Sequence, residues 1–296
     1  MSQELDVHAE VEKAALSSRH WGMVVVLGLV TLFDGYGVFV AGSTIPFVMR
    51  LWHLKPSQAG LMVSFGLIGF MVGSLAGGPI ADRVGRKPTL VGGLLFAGLM
   101  SMATGAFGNS YGVFLALRLL TGAGLGMLLP LAVTLINETA PRRTANLLVG
   151  CVMIGWSSGG ILAALAGGAL GQRYGWPSMY WIAGLGVPMA LATWLVLRES
   201  PRFLTIQDRQ PQVRAVMSWL VPGAVYGPDV RFITHEDVSR KGSISRLLEP
   251  SARRATLVVW LCAGFSLFTI FGLSSWLPQA MTVRGESFGA SFGFAA

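Results

Sequence analysis

Charged residues are scarce in this sequence, and cysteine and histidine scarcer still. Of 296 residues, 12% are Asp, Glu, Lys or Arg, where a soluble domain averages about one quarter. Hydrophobic residues make up 53% and the mean hydropathy is +0.60, which is more apolar surface than a water-soluble fold can hide. The two cysteines, Cys151 and Cys262, lie in separate apolar stretches, which excludes a disulfide framework or a cysteine metal knuckle. The four histidines, His8, His20, His53 and His235, are too dispersed for a local ligand set.

Long apolar runs are abundant. A hydrocarbon core about 30 Å thick needs about 20 apolar residues in helical form, and seven such runs occur, near 22–48, 58–80, 88–108, 112–136, 146–170, 177–198 and 255–281. The 39 glycines are scattered through these runs, as expected of helices whose backbones approach closely in lipid. The net charge of +8 raises the possibility of a nucleic-acid partner. The basic residues, however, sit at the ends of apolar runs and form no face, so that class is excluded. Residues 1–21 mix acids and bases ahead of the first run, unlike a cleavable leader.

Lys and Arg number 17 in the N-terminal segment, the 2–3 and 4–5 loops and the stretch from Arg198 to Arg254, against four on the other side. The excess of Lys and Arg predicts a cytoplasmic N-terminus. Six spans over 22–198, a basic linker over 199–254 and a seventh span in 255–296 predict an all-α membrane protein. It has a six-helix bundle and the start of a second, the pattern of a two-repeat transporter. The apolar run at 291–296 reads as the beginning of an eighth span, so a chain cut after the seventh is expected, with the fragment alone inactive. A seven-helix receptor is the alternative, although the basic stretch between spans six and seven is unusual for one.

Ionisable groups inside a span are costly and mark function by default. Asp34 lies about twelve residues into the first span and Arg118 lies within the fourth. These two are the leading candidates for proton and substrate handling. A structural acid with a buried partner is the alternative for Asp34, and snorkelling to the interface is the alternative for Arg118. Arg118, Gly122, Gly126 and Pro130 recur at intervals of four and share a helix face, so a basic group stands over a small-residue groove. It can bind a carboxylate or bias Asp34. Tyr36 and Trp276, with Trp156, are candidates to line a site for an aromatic ligand, although each also suits packing. Glu138, just before Ala140-Pro141-Arg142-Arg143, is expected to form an interfacial pair with Arg142 or Arg143.

The 2–3 connection contains Gly78, Asp82, Arg83, Gly85, Arg86 and Lys87 in the order G-x-x-x-D-R-x-G-R-K. It resembles the signature of the major facilitator superfamily and implies a gating and structural role for these residues. Asp82 can cap a helix N-terminus, and the bases can pair with acids or anchor topology. Arg118-x-x-x-Gly122-x-x-x-Gly126 is similar to that family's fourth-helix motif, which is linked there to proton coupling. Three segments narrow the resemblance to the aromatic acid:proton symporters: Asp34-Gly35-Tyr36-Gly37 looks like their D-G-x-D, residues 197–204 (LRESPRFL) their ending after helix six, and residues 274–278 (SSWLP) their helix-seven segment. The second acid of D-G-x-D is Gly37 here, so a mechanism that uses that acid does not carry over intact. Residues 155–160 (GWSSGG) lack the proline of the antiporter pattern, which favours symport over export.

The resemblance implies proton-coupled uptake of a small aromatic carboxylate, with protons, substrate and lipid as partners and no cofactor. A carrier of a sugar or an aliphatic acid, or a receptor without flux, remains open, and self-association is not legible. An enzyme is not expected. G-x-S-x-G occurs around Ser110, Ser157 and Ser287, but none has the strand-to-helix setting that gives the motif meaning. No phosphate-binding loop occurs either.

Overall fold

The computed structural model describes residues 3–227, 229–234 and 249–285. Its spanning segments are α2 (Ser18–Trp52), α3 (Pro56–Val84), α4 (Arg86–Phe107), the pair α5 (Tyr111–Leu125) and α6 (Leu128–Thr139), and α7 (Arg142–Ala166). A π-helical turn, Gly167–Gly171, and the short α8 (Gln172–Tyr174) continue α7. The sixth span is the pair α9 (Pro177–Ala183) and α10 (Gly186–Val196), and α13 (Pro250–Val283) is the seventh. All seven are long and apolar enough to cross a membrane.

Starts and interruptions follow local chemistry. Pro56, Pro177 and Pro201 stand in the first turn of their helices, where a missing N–H costs nothing. Two spans break four residues ahead of a proline. Pro130 cannot donate to the Gly126 carbonyl, nor Pro188 to that of Gly184, and the breaks fall at Gly126–Met127 and Gly184–Leu185.

The helix pairing has an internal symmetry. The first span packs on the fifth (α2 on α7), the second on the fourth (α3 on α5), and the third on the sixth (α4 on α9 and α10). Exchanging spans 1–3 for 4–6 maps these pairings onto one another, as two inverted three-helix repeats require. Helix contacts are close: carbonyl oxygens of Leu119 and Ala123 stand about 2 Å from where Cβ atoms on Gly69 and Gly73 would lie. Large apolar side chains face outward, including Leu75 at 67% exposure, Leu195 at 73% and Phe268 at 79%, which suits a surface bathed in lipid.

The ends of the bundle differ. The face carrying the N-terminus, called proximal below, has extra structure that the reading of 199–254 as a plain linker misses. Helices α11 (Pro201–Ile206) and α12 (Gln210–Leu220) fold within that stretch. Strand β1 (Gln3–Asp6) pairs in parallel with β2 (Val230–Ile233), and α1 (Val7–Lys13) packs on α11. The all-α architecture therefore carries one small two-stranded sheet. The apolar run at 291–296 and Ser287 lie outside the described residues.

Candidate functional site

Two clusters of polar groups stand out, one at membrane depth and one on the proximal face. Asp34, in the middle of α2, is 0% exposed, and neither carboxylate oxygen has a hydrogen-bond partner among the described residues. Arg118 of α5 is 2% exposed and donates through both terminal nitrogens to the Gly37 carbonyl oxygen, at 3.1 and 3.2 Å. It does not snorkel to an interface, and no ion pair joins it to Asp34. Asp34 and Gly37 share a face of α2 and differ by about 4.5 Å in rise.

The expected groove beside Arg118 is filled. Gly122 and Gly126 pack on the α3 backbone, with a built Cβ about 2 Å from the Gly66 and Phe70 carbonyl oxygens. The crevice left between Val38, Gly66, Phe70, Arg118 and Leu125 is about 10 Å³, no more than one water needs. A carboxylate ligand does not fit there in this arrangement.

The aromatic candidates separate. Tyr36 is 4% exposed and its hydroxyl donates to the Met179 carbonyl oxygen at 2.8 Å, so its polar handle is committed to holding α2 against α9. The Trp276 ring, on α13, stands beside Gly60 of α3. Trp156 of α7 meets Phe39 and keeps its indole nitrogen buried without a hydrogen-bond partner among the described residues. A groove of about 450 Å³ between α2, α7, α9 and α10 is lined by Leu32, Phe33, Tyr36, Leu165 and Ile182 among others. It offers an anion almost nothing polar.

The proximal cluster is built on the 2–3 motif. Gly85 links α3 to α4 at φ +118°, and a Cβ there would sit 2.3 Å from a Glu199 oxygen, so both conformation and space require glycine. Glu199 Oε1 accepts from the N–H groups of Arg86 at 2.9 Å, Lys87 at 3.3 Å and Ser200 at 2.8 Å. The cap of α4 is therefore Glu199, a residue 113 positions away, and not Asp82. Asp82 is exposed and pairs with Arg86 at 2.9 Å. Arg83 is exposed, consistent with an interface anchor, and the Lys87 ammonium lies 4.5 Å over the Trp194 ring. Gly78 has open space around it.

Glu138 corrects the expected interfacial pair. It is 5% exposed and lies 3.3 Å from the buried Arg86 and 3.5 Å from the partly exposed Arg202, which makes a triad. Arg142 instead offers its backbone N–H to Glu12 at 3.0 Å, with a long 3.9 Å side-chain contact. Glu138 and Arg142 share only the wall of a polar cavity of about 340 Å³, together with His8, Asn137 and Arg202. The reason is geometric: α6 ends at Thr139, and Glu138 turns inward toward α4 and α11 while Arg142 opens α7 outward. Residues 197–204 carry no local signal that makes Glu199 a partner of Arg86 and Lys87, or Arg202 a partner of Glu138.

The model of the Major Facilitator Superfamily matches residues 27–296. The chain belongs to this superfamily. Among curated relatives, a benzoate transport protein of Acinetobacter baylyi is 29% identical over 99% of this chain. A 4-hydroxybenzoate transporter of Pseudomonas aeruginosa is 32% identical over 96%, and a gallate transporter of Pseudomonas putida is 32% identical over 96%. The chain spans 64%, 64% and 63% of their lengths. Among solved structures, a bacterial homologue of the human lysosomal transporter Spinster, inward-facing and unoccupied, aligns with a TM-score of 0.69 at 21% identity, covering 95% of this chain and 60% of that one. A D-xylose–proton symporter aligns at 0.61 and 19% identity, covering 93% and 64%. At these identities the structural likeness establishes the fold.

Proposed function

We propose that this superfamily member carries a small aromatic carboxylate across a bacterial inner membrane together with protons, with its proximal face in the cytoplasm. The observation that carries this reading is Asp34, a fully buried acid at membrane depth with no donor to its oxygens among the described residues. A carboxylate in that position needs a proton or a cationic partner. Proton exchange at Asp34 supplies one without a second protein charge. The names of the curated relatives support the substrate class, and the 17-to-4 bias of basic residues supports the orientation.

In the proposed cycle the Glu138 triad and the Glu199 cap hold the proximal ends of α3, α4, α6 and α11 together in one access state. Opening the proximal side separates them. Arg118 fixes α2 to α5 beside the acid, and no residue has a catalytic role.

The test is uptake of radiolabelled 4-hydroxybenzoate by cells expressing the gene's complete reading frame, with unlabelled benzoate, xylose and succinate as competitors and with and without a protonophore. Protonophore-sensitive uptake blocked by benzoate alone is expected. Uptake indifferent to the protonophore refutes coupling, and no uptake by inserted protein refutes the substrate class.

A further inference from the structure

The junction of α2, α7 and α13 holds three aromatic rings. Phe39 meets Trp156 edge to face, with centroids 5.2 Å apart and planes at 64°, and stacks on Phe271 at 5.6 Å and 27°. Gly160, one turn beyond Trp156, makes the room, since a Cβ there would lie 3.0 Å from the Phe39 ring. Phe271 belongs to the helix that follows the linker, so the cluster lies where the six-helix bundle meets the next element. Trp156 is about 21 Å along α7 from Arg142, well inside a core about 30 Å thick.

The indole nitrogen of Trp156 is buried and has no hydrogen-bond partner among the described residues. An indole N–H only donates, and a donor left empty at this depth is unfavourable in every state that leaves it so. Two other donors at membrane depth are occupied: the Tyr36 hydroxyl by Met179 and the terminal nitrogens of Arg118 by Gly37. Phe271 shows that a ring seats well against Phe39, at a spacing aromatic pairs prefer.

We propose that Trp156 positions the ligand: Phe39 and Trp156 hold an aromatic ring in the place Phe271 takes here, and the indole N–H donates to an oxygen on that ring's carboxylate or hydroxyl substituent. This rests on the reading of the protein as a carrier of aromatic carboxylates and assigns the residues that recognise them.

The test uses the protein in lipid nanodiscs, with equilibrium binding of benzoate, 4-hydroxybenzoate and cyclohexanecarboxylate to wild type, Trp156→Phe and Phe39→Leu. Trp156→Phe keeps a ring and removes the donor. It is expected to weaken 4-hydroxybenzoate binding about 10- to 100-fold with helical circular dichroism unchanged. An equal loss for benzoate assigns the bond to the carboxylate, and a loss confined to 4-hydroxybenzoate assigns it to the hydroxyl. Phe39→Leu is expected to erase the preference for benzoate over its saturated analogue. In wild-type protein labelled with nitrogen-15 at its nine tryptophans, the indole resonance absent from Trp156→Phe should shift on adding ligand, which a merely structural Trp156 would not show. Binding by both variants within twofold of wild type, or an unmoved resonance, overturns the proposal. Wild-type protein that binds no aromatic acid overturns the functional reading beneath it.

Discussion

Arg118 and Gly37 are joined by a forked hydrogen bond in which one backbone carbonyl oxygen receives both terminal guanidinium nitrogens, at 3.1 and 3.2 Å. Where the D-G-x-D pattern of the resembling family has its second acid, this chain offers main-chain oxygen, and the buried cation is met by a dipole. Lysine carries the same charge but cannot fork. Arg118→Lys is therefore expected to lower thermal stability in nanodiscs by about 1 to 3 kcal/mol, read as an earlier melting transition. An unchanged transition would mean that the fork contributes no net stability.

Asp34 is the group whose replacement should separate function from fold. Asparagine has nearly the same shape and no charge, and neither carboxylate oxygen has a partner to lose among the described residues. Asp34→Asn should insert and melt like wild type, or slightly above it, since a buried ionisable group is removed. Uptake of 4-hydroxybenzoate should fall to background. Wild-type uptake by this variant would remove Asp34 from the proton pathway.

Glu138 should behave in the opposite way. Its carboxylate serves two guanidinium groups, and it and Arg86 are almost wholly buried. Removing the shared anion takes from Arg86 its buried counterion and leaves it the exposed Asp82, and breaking one side of a buried pair costs about 3 to 5 kcal/mol. Glu138→Ala should therefore destabilise strongly. Arg86→Met with Glu138→Leu should recover part of that loss, because an apolar replacement leaves no naked charge at those two positions. A double variant no more stable than Glu138→Ala would show that the packing around Arg86, and not its charge, dominates.

The spans were legible because their signal is local: about 20 apolar residues with charges at the ends suffice, as for Arg142–Tyr174 or Pro177–Val196. Asp34 and Arg118 were legible for the same reason, as ionisable groups in apolar runs. The long-range polar contacts were not. Glu199 caps a helix whose first residue lies 113 positions earlier, and Arg118 bonds a backbone oxygen, which no side-chain pattern announces. The nearest bases to Glu138 in sequence are Arg142 and Arg143, whereas the fold brings Arg86 and Arg202 to it from 52 and 64 positions away. The strand pair escaped because Gln3–Asp6 and Val230–Ile233 are four residues each and far apart, too short for an alternating pattern to register.

That strand pair anchors a strap across the proximal face, and its tie points can be tested. Leu5 stands opposite Phe232 in the parallel ladder, Arg143 donates to the Ala14 carbonyl, and the Tyr226 hydroxyl donates to Glu10 at 3.2 Å. Neighbouring strands lie about 4.8 Å apart, within reach of a disulfide. In a background lacking Cys151 and Cys262, Leu5→Cys with Phe232→Cys should cross-link on mild oxidation. Burial first, and then the Glu10 carboxylate beside it, push the Tyr226 hydroxyl up to about 12. Tyr226 is an acid held neutral in the folded strap, so its contribution is fully present below the unfolded value of about 10. It is lost as pH rises through the folded value. Protease access to residues 3–17 should therefore increase between about pH 10 and 12 in wild type, and the engineered disulfide between the two strands should suppress the increase. Tyr226→Phe should flatten the same profile; a rise of equal size in that variant would place the alkaline opening elsewhere.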